Sequence, residues 1–140
     1  MEFRWIKEEE IKESIALLKE SFPVKTTEER IKNSLNKKNR MLVAVLDQEI
    51  VGIVLIRTNE NFIEDLMSFH LDNLCVKSTY RNKNIATMLL QEVEKIAKCE
   101  KIDYIDLTAS NYRKIAHHVY TKNGYDKRES CLFRREISEK

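Results

Sequence analysis

Between Leu66 and Thr108 the chain spells out a strand, a polar turn, a helix and a second strand, and few folds can absorb that order. Leu66 to Val76 is a long β-rich run. Ile85, Leu89, Val93 and Ile96 then recur at helical spacing and mark the buried stripe of a helix from about Asn84 to Lys98. Asp103 to Thr108 is a short strand. Two strands joined through a helix must lie parallel, with a right-handed crossover. The turn between strand and helix has its own consequence. It leaves main-chain N–H groups without partners at the positive end of the helix dipole, which makes a ready anion pocket. Arg81 and Lys83 add positive charge there. A pyrophosphate is the ligand this arrangement suits best.

The remaining elements follow from periodicity and punctuation. Phe3 to Ile6 is a short first strand. From Glu8 to Ser21, Ile11, Ile15 and Leu18, then Phe22, recur at helical spacing behind an acidic first turn, and Pro23 ends the helix. Thr26-Thr27-Glu28-Glu29 fits a capping box for a second helix with Ile31 and Leu35 inside. Lys37 to Arg40 is a solvated connection. Met41 to Leu46 and Ile50 to Arg57 read as a hairpin joined through Asp47-Gln48-Glu49, and Thr58 to Asp65 as a polar loop. Tyr112 to Lys122 is a fourth helix, stopped by Asn123-Gly124, and Cys131 to Ile137 closes the chain as an edge strand. With two glycines and one proline there is little material for interdomain linkers. The expectation is a single domain over residues 1–140 of mixed α/β class.

Composition excludes several functions. The 42% hydrophobic and 34% charged content is that of a globular protein. A net charge of +2, from 25 basic and 23 acidic residues, argues against nucleic acid as the main partner. No apolar run approaches the ~18 residues needed to span a bilayer, and Met1 to Trp5 is no signal peptide. Cys75, Cys99 and Cys131 are odd in number and lack a Cys-x-x-Cys pair, which fits a reducing cytoplasm and speaks against zinc. No sequence feature decides whether the chain forms a homodimer.

Two segments carry a family resemblance. Arg81-Asn82-Lys83-Asn84-Ile85-Ala86 resembles the acyl-CoA signature of the GNAT acetyltransferases, Gln/Arg-x-x-Gly-x-Gly/Ala, with Asn84 at the first glycine. Asn is among the few residues besides glycine that tolerate positive φ. Ala116-His117-His118-Val119-Tyr120-Thr121-Lys122-Asn123-Gly124-Tyr125 resembles the family's Ala-x-x-Phe-Tyr-x-Lys-x-Gly-Phe segment. The resemblance implies a GNAT fold: a mostly antiparallel sheet containing one splayed parallel pair, flanked by about four helices. It further implies an acetyl-CoA-dependent N-acetyltransferase that transfers the acetyl group directly to an amine. The alternative is a non-catalytic acyl-CoA-binding or interaction module with the same fold.

On that resemblance the amides of Arg81, Asn82, Lys83, Asn84, Ile85 and Ala86 hold the pyrophosphate, and Leu74, Cys75 and Val76 pair through their backbone with the pantetheine arm. The N–H of Val76 serves as oxyanion donor. Tyr120 is the general acid for the departing thiolate, since a phenol of reference pKa ~10 stays neutral at physiological pH. Asn111 bonds the cofactor arm, although it could equally be the N-cap of the helix after it, a place for which Ser110 competes. The base is open between His70 and Asp72, which share one face with Leu74 if the strand alternates regularly. Cys75 is expected to be a small buried residue rather than a nucleophile. His117 and His118, adjacent on a helix, point different ways and suit no metal. The acceptor is a small-molecule or protein amine. Acidic Glu60, Glu64 and Asp65 would suit a cationic one, and Phe62 could line a pocket or pack inside.

Overall fold

A computed structural model describes residues 1–139. Five strands form one sheet in sequential order: β1 (Glu2–Trp5), β2 (Asn39–Leu46), β3 (Glu49–Asn61), β4 (Leu66–Val76) and β5 (Tyr104–Leu107). The first four pair antiparallel and β5 runs parallel to β4, as the helix between them requires. The helices are α1 (Ile11–Leu18), α2 (Glu28–Ser34), α3 (Ile85–Cys99) and α4 (Lys114–Lys122).

Both faces of the sheet are covered, which is why Met41 to Val45 are buried without interruption. Leu42, Ala44, Val54, Ile56, Phe69 and Leu71 pack against Ile85, Leu89, Leu90 and Val93 of α3. On the opposite face Met41, Val43, Ile50, Ile53 and Cys75 meet Leu17 and Leu18 of α1. Each such apolar side chain contributes roughly 1.5–3 kcal/mol relative to exposure, so packing rather than helix propensity holds α3 down. The contact is close at Gly52 on β3: a Cβ there would lie 2.9 Å from Leu89 Cδ1 and 3.1 Å from Ile85 Cγ2.

Several boundaries differ from expectation for local reasons. Residues 8–10 form a 3-10 turn, and α1 stops at Leu18 instead of reaching Ser21. The amides of Glu20 and Ser21 tighten onto Leu17 and Leu18, and the residue before Pro23 disfavours helix. Thr27 caps α2, its Oγ1 accepting from Arg30 N at 3.1 Å. The β2–β3 hairpin turns on Asp47 and Gln48 alone, both at positive φ as a two-residue hairpin demands. Thr58 to Asn61, expected in a loop, continue β3 in register with Leu66 to Phe69, because a ladder needs only main-chain partners. Phe69 is core, whereas Phe62 at the hairpin tip is 78% exposed and does not pack inside.

The largest correction is at the C-terminus. Cys131 to Ile137, expected as a closing edge strand, joins no sheet within the chain. A strand-like pattern supplies propensity, but a strand exists only through its partner. Leu132, Phe133 and Ile137 are left at least four-fifths exposed.

Candidate active site

Register decides the centre of the site. Ile53 pairs with Cys75 while Leu55 pairs with Asp72, so β4 carries one residue more than β3 across this interval. The extra residue sits at the exposed Asn73, whose φ is +55°, a β-bulge. A bulge reverses the side-chain alternation. Leu74 and Val76 therefore pack on the α3 side with Leu71, while His70 and Asp72 face the other way. The expectation that His70, Asp72 and Leu74 share a face is overturned for this reason.

The β4–β5 pairing also ends here, at Leu71 opposite Leu107. Beyond that pair the β5-facing edge of residues 72–76 has no strand beside it. A cleft of about 160 Å³ opens at the divergence, lined by Asp72, Asn73 and Leu74 on one wall and Leu107, Arg113 and Tyr120 on the other. Phe22, which the sequence suggested as a continuation of the α1 stripe, lies in this lining. Arg113 is there too, at the N-cap of α4, which starts at Lys114 rather than at the expected Tyr112.

The corner from β4 into α3 is built by two left-handed asparagines. Asn82 has φ +63° and Asn84 φ +61°, and Asn84 is the N-cap residue without a side-chain cap bond. Among the described residues, the amides of residues 82–87 find no main-chain acceptor in the chain. Successive outward amides at such a turn make an anion-binding concavity, reinforced by the helix dipole. Ala86 adds only a methyl group to this surface. The two cations are engaged locally: Arg81 Nε donates to Val76 O at 3.4 Å, and Lys83 Nζ lies 5.4 Å from the centre of the Tyr80 ring. Glu20 holds the corner from the other side, Oε1 accepting from Ser78 N at 3.0 Å.

Tyr120 on α4 reaches the cleft half-buried, with its ring edge-to-face to Tyr125 at 6.4 Å. Burial pushes its phenol above the ordinary value of 10.0, and the Arg113 charge opposes that shift. Asn123 ties α4 to α3, its Nδ2 donating to Thr87 Oγ1 at 3.2 Å and Val119 O at 2.7 Å. Arg113, not Asn111 or Ser110, occupies the N-cap position of α4. The Ser110 carbonyl instead lies 2.8 Å from His117 Nε2, and Asn111 is exposed outside the cleft lining.

Around the two candidate bases, Arg57 Nε donates to Asp72 Oδ2 at 2.6 Å, and His70 Nε2 lies 3.5 Å from Asp72 Oδ1. Asp72 lines the cleft and His70 stands behind it. The Cys75 thiol is buried and pushed up to about 12 by that burial, so it holds its proton as a structural residue does. Glu60, Glu64 and Asp65 sit at the end of the β3–β4 hairpin away from the bulge.

A sheet whose one parallel pair splays at a bulge, with an amide-lined corner beside the split, defines the acyl-CoA acyltransferase class of fold. Residues 4–125 match the Acetyltransferase (GNAT) family, and the chain belongs to it. No curated protein sequence matches at a significant level. Solved structures do match. The ribosomal-protein-alanine N-acetyltransferase of Brucella melitensis biovar Abortus aligns with a TM-score of 0.82 at 17% identity, over 97% of this chain and 100% of that one. An aminoglycoside N-acetyltransferase in complex with CoA aligns with a TM-score of 0.80 at 15% identity, over 98% and 100%. A transcriptional regulator of Bacillus halodurans aligns with a TM-score of 0.86 at 18% identity, over 96% and 99%. At these identities the likeness is one of fold.

Proposed function

We propose that this protein is an acetyl-CoA-dependent N-acetyltransferase that moves the acetyl group directly onto a primary amine. The observation that carries the reading is the run of unpartnered amides at residues 82–87, one strand-length from a cleft that contains a tyrosine. The amides of Asn82, Lys83, Asn84, Ile85 and Ala86 bind the pyrophosphate, whereas the expected Arg81 amide already donates to Ser78 O at 3.5 Å. The free edge of Leu74, Cys75 and Val76 receives the pantetheine arm, and Asn111 meets it from the α4 side. This lays the thioester in the cleft between Asn73 and Tyr120.

Within the cleft the residues divide the work. The incoming ammonium gives its proton to Asp72 in the cleft wall or, through water, to His70 behind it. The amine then attacks the thioester carbonyl, and the N–H of Val76 donates to the developing oxyanion. As the C–S bond breaks, Tyr120 Oη gives its proton to the thiolate, and the surplus proton on the new amide nitrogen leaves, directly or through water, to restore the phenol. Its raised pKa keeps the phenol protonated at neutral pH. Cys75 takes no part, because a direct transfer needs no covalent enzyme intermediate. The relatives named for protein alanine and for aminoglycosides make both protein and small-molecule amines suitable acceptors.

The test is a thiol-release screen with acetyl-CoA against amines of several classes, alongside calorimetry with coenzyme A. Binding of coenzyme A and thiol release with one amine class are expected. Absence of heat at millimolar coenzyme refutes the reading outright. Binding without turnover on any amine would instead identify a non-catalytic acyl-CoA module, a reading favoured by Asp72 already being committed to Arg57.

A further inference from the structure

The parallel register sets Phe69 beside Ile105, His70 beside Asp106 and Leu71 beside Leu107. Phe69, Leu71, Ile105 and Leu107 all pack towards α3. Side chains alternate along a strand, so His70, Tyr104 and Asp106 face the other way, towards the side on which Phe22 packs with α1. The core under α1 draws on β2, β3 and β4 and takes nothing from β5. That strip of β5 is therefore open, with Tyr104 45% exposed and Asp106 exposed next to His70. Thr108, two residues beyond Asp106, lines the cleft, so the strip leads into it.

The carboxylates around this strip differ in what they already hold. Asp72 accepts from Arg57 Nε at 2.6 Å, and Asp103 accepts from Met67 N at 2.8 Å. The Asp106 side chain has no hydrogen-bond or ion-pair partner among the described residues. It is a free negative charge one strand away from the groups that take the acceptor's proton.

We propose that Asp106 sets acceptor specificity by holding a second positive charge, so that the acceptor is a small diamine or polyamine, anchored at one end while the other reacts. The inference rests on the acetyl-transfer reading and names its substrate class. Neighbouring strands lie about 4.8 Å apart and alternate residues about 6.6 Å apart along one strand, which puts the Cα positions of Asp72 and Asp106 about 8 Å apart. An extended carbon chain advances about 1.25 Å per bond, so nitrogens separated by four to six methylenes span about 6–9 Å. Such an acceptor reaches from the cleft wall to Asp106. Its distal amine, of reference pKa ~10.4, is an ammonium at neutral pH. Arg113 on the opposite wall of the cleft repels that charge, and Asp106 attracts it. A longer polyamine continues over Tyr104, whose exposed ring offers its face to a further cation.

Initial rates with acetyl-CoA test this, using α,ω-diamines of increasing length, each against the monoamine of equal chain length. The proteins are the wild type, Asp106→Asn and Asp106→Lys. Asp106 is exposed, and unchanged thermal melts check that both variants fold. In the wild type the diamine-to-monoamine ratio of kcat/KM is expected to peak at about four to six methylenes. The height of the peak is expected to be roughly 3–5-fold, as an exposed ion pair allows. Asp106→Asn is expected to remove the peak. Asp106→Lys is expected to reverse the choice and favour an ω-amino acid over the diamine of the same length, which a merely structural role for Asp106 would not do. Turnover of amines by the wild type without a diamine optimum overturns the proposal and leaves acetyl transfer standing. An optimum that survives in Asp106→Asn overturns it too. Thiol release from no amine at all sinks the proposal together with the acetyl-transfer reading.

Discussion

Gly52 is where the sheet admits α3, and replacing it by valine perturbs stability and the anion corner together. Its main chain lies outside the left-handed region, so conformational freedom is not the reason for a glycine. The reason is space: the new Cβ alone would come within 2.9 Å of Leu89 Cδ1 and 3.1 Å of Ile85 Cγ2, and both partners are buried. Overpacking of this kind costs about 2–3 kcal/mol. The lower unfolded-state entropy of the substituted chain returns about 0.4–1 kcal/mol. Sterics therefore win, and a net loss of about 1–2.6 kcal/mol lowers Tm by about 3–9 °C in a chain of this size. Ile85 opens α3 at the proposed pyrophosphate corner, so coenzyme A affinity should fall with the displacement. Leu89→Ala supplies the internal check. Alone it costs about 2–5 kcal/mol, but it vacates the volume that valine needs, so the double variant should be about 1–2 kcal/mol more stable than additivity predicts. Thermal melts of the four proteins measure the cycle. A Gly52→Val protein that melts with the wild type, or strict additivity, refutes the reasoning.

Tyr120→Phe should lower kcat by roughly 100-fold while leaving coenzyme A affinity in calorimetry nearly unchanged. Because burial raises the phenol above 10.0, any decline in rate from Tyr120 ionisation should come at higher pH than for a free phenol. Cys75 makes a prediction about alkaline stability. Its folded pKa of about 12 exceeds the ordinary 9.0, so the stabilisation is complete below pH 9 and is lost as pH rises towards 12. Cys75→Ala should flatten that loss in denaturant melts at successive pH values. Tyr125, pushed up to about 12 by burial, adds a smaller decline that begins from pH 10. At Asn84, φ +61° favours glycine, so Asn84→Gly should melt within a degree or two of wild type, whereas Asn84→Ala should lose about 1–2 kcal/mol.

Much of the site was legible because its signals are local. The strand Leu66–Val76 and the helix after Asn84 follow from apolar period and polar punctuation, and the corner between them is sequence-adjacent. Tyr120 and the Asn123-Gly124 stop were readable because a helix keeps its own register. The bulge at Asn73 was not readable. A single extra residue leaves the apolar pattern nearly intact and reveals itself only through the partner strand. Phe22 and Arg113 were missed for a related reason: both fall within the helical pattern of the sequence, and both lie just beyond a helix end, where packing rather than period sets the course.

The sequence by itself determined the four helices and the strands up to β5, though not their exact ends, that β4 and β5 run parallel, and that outward amides precede α3. Those properties come from near-neighbour sterics, hydrogen bonding and burial period. Tertiary structure alone decided that β4 slips by one residue, that it parts from β5 after Leu71, and that Arg57 ties down Asp72. It also left residues 131–137 outside the sheet, against the pattern of their own side chains. Pairing across a sheet depends on what lies opposite, and no run of residues encodes its neighbour.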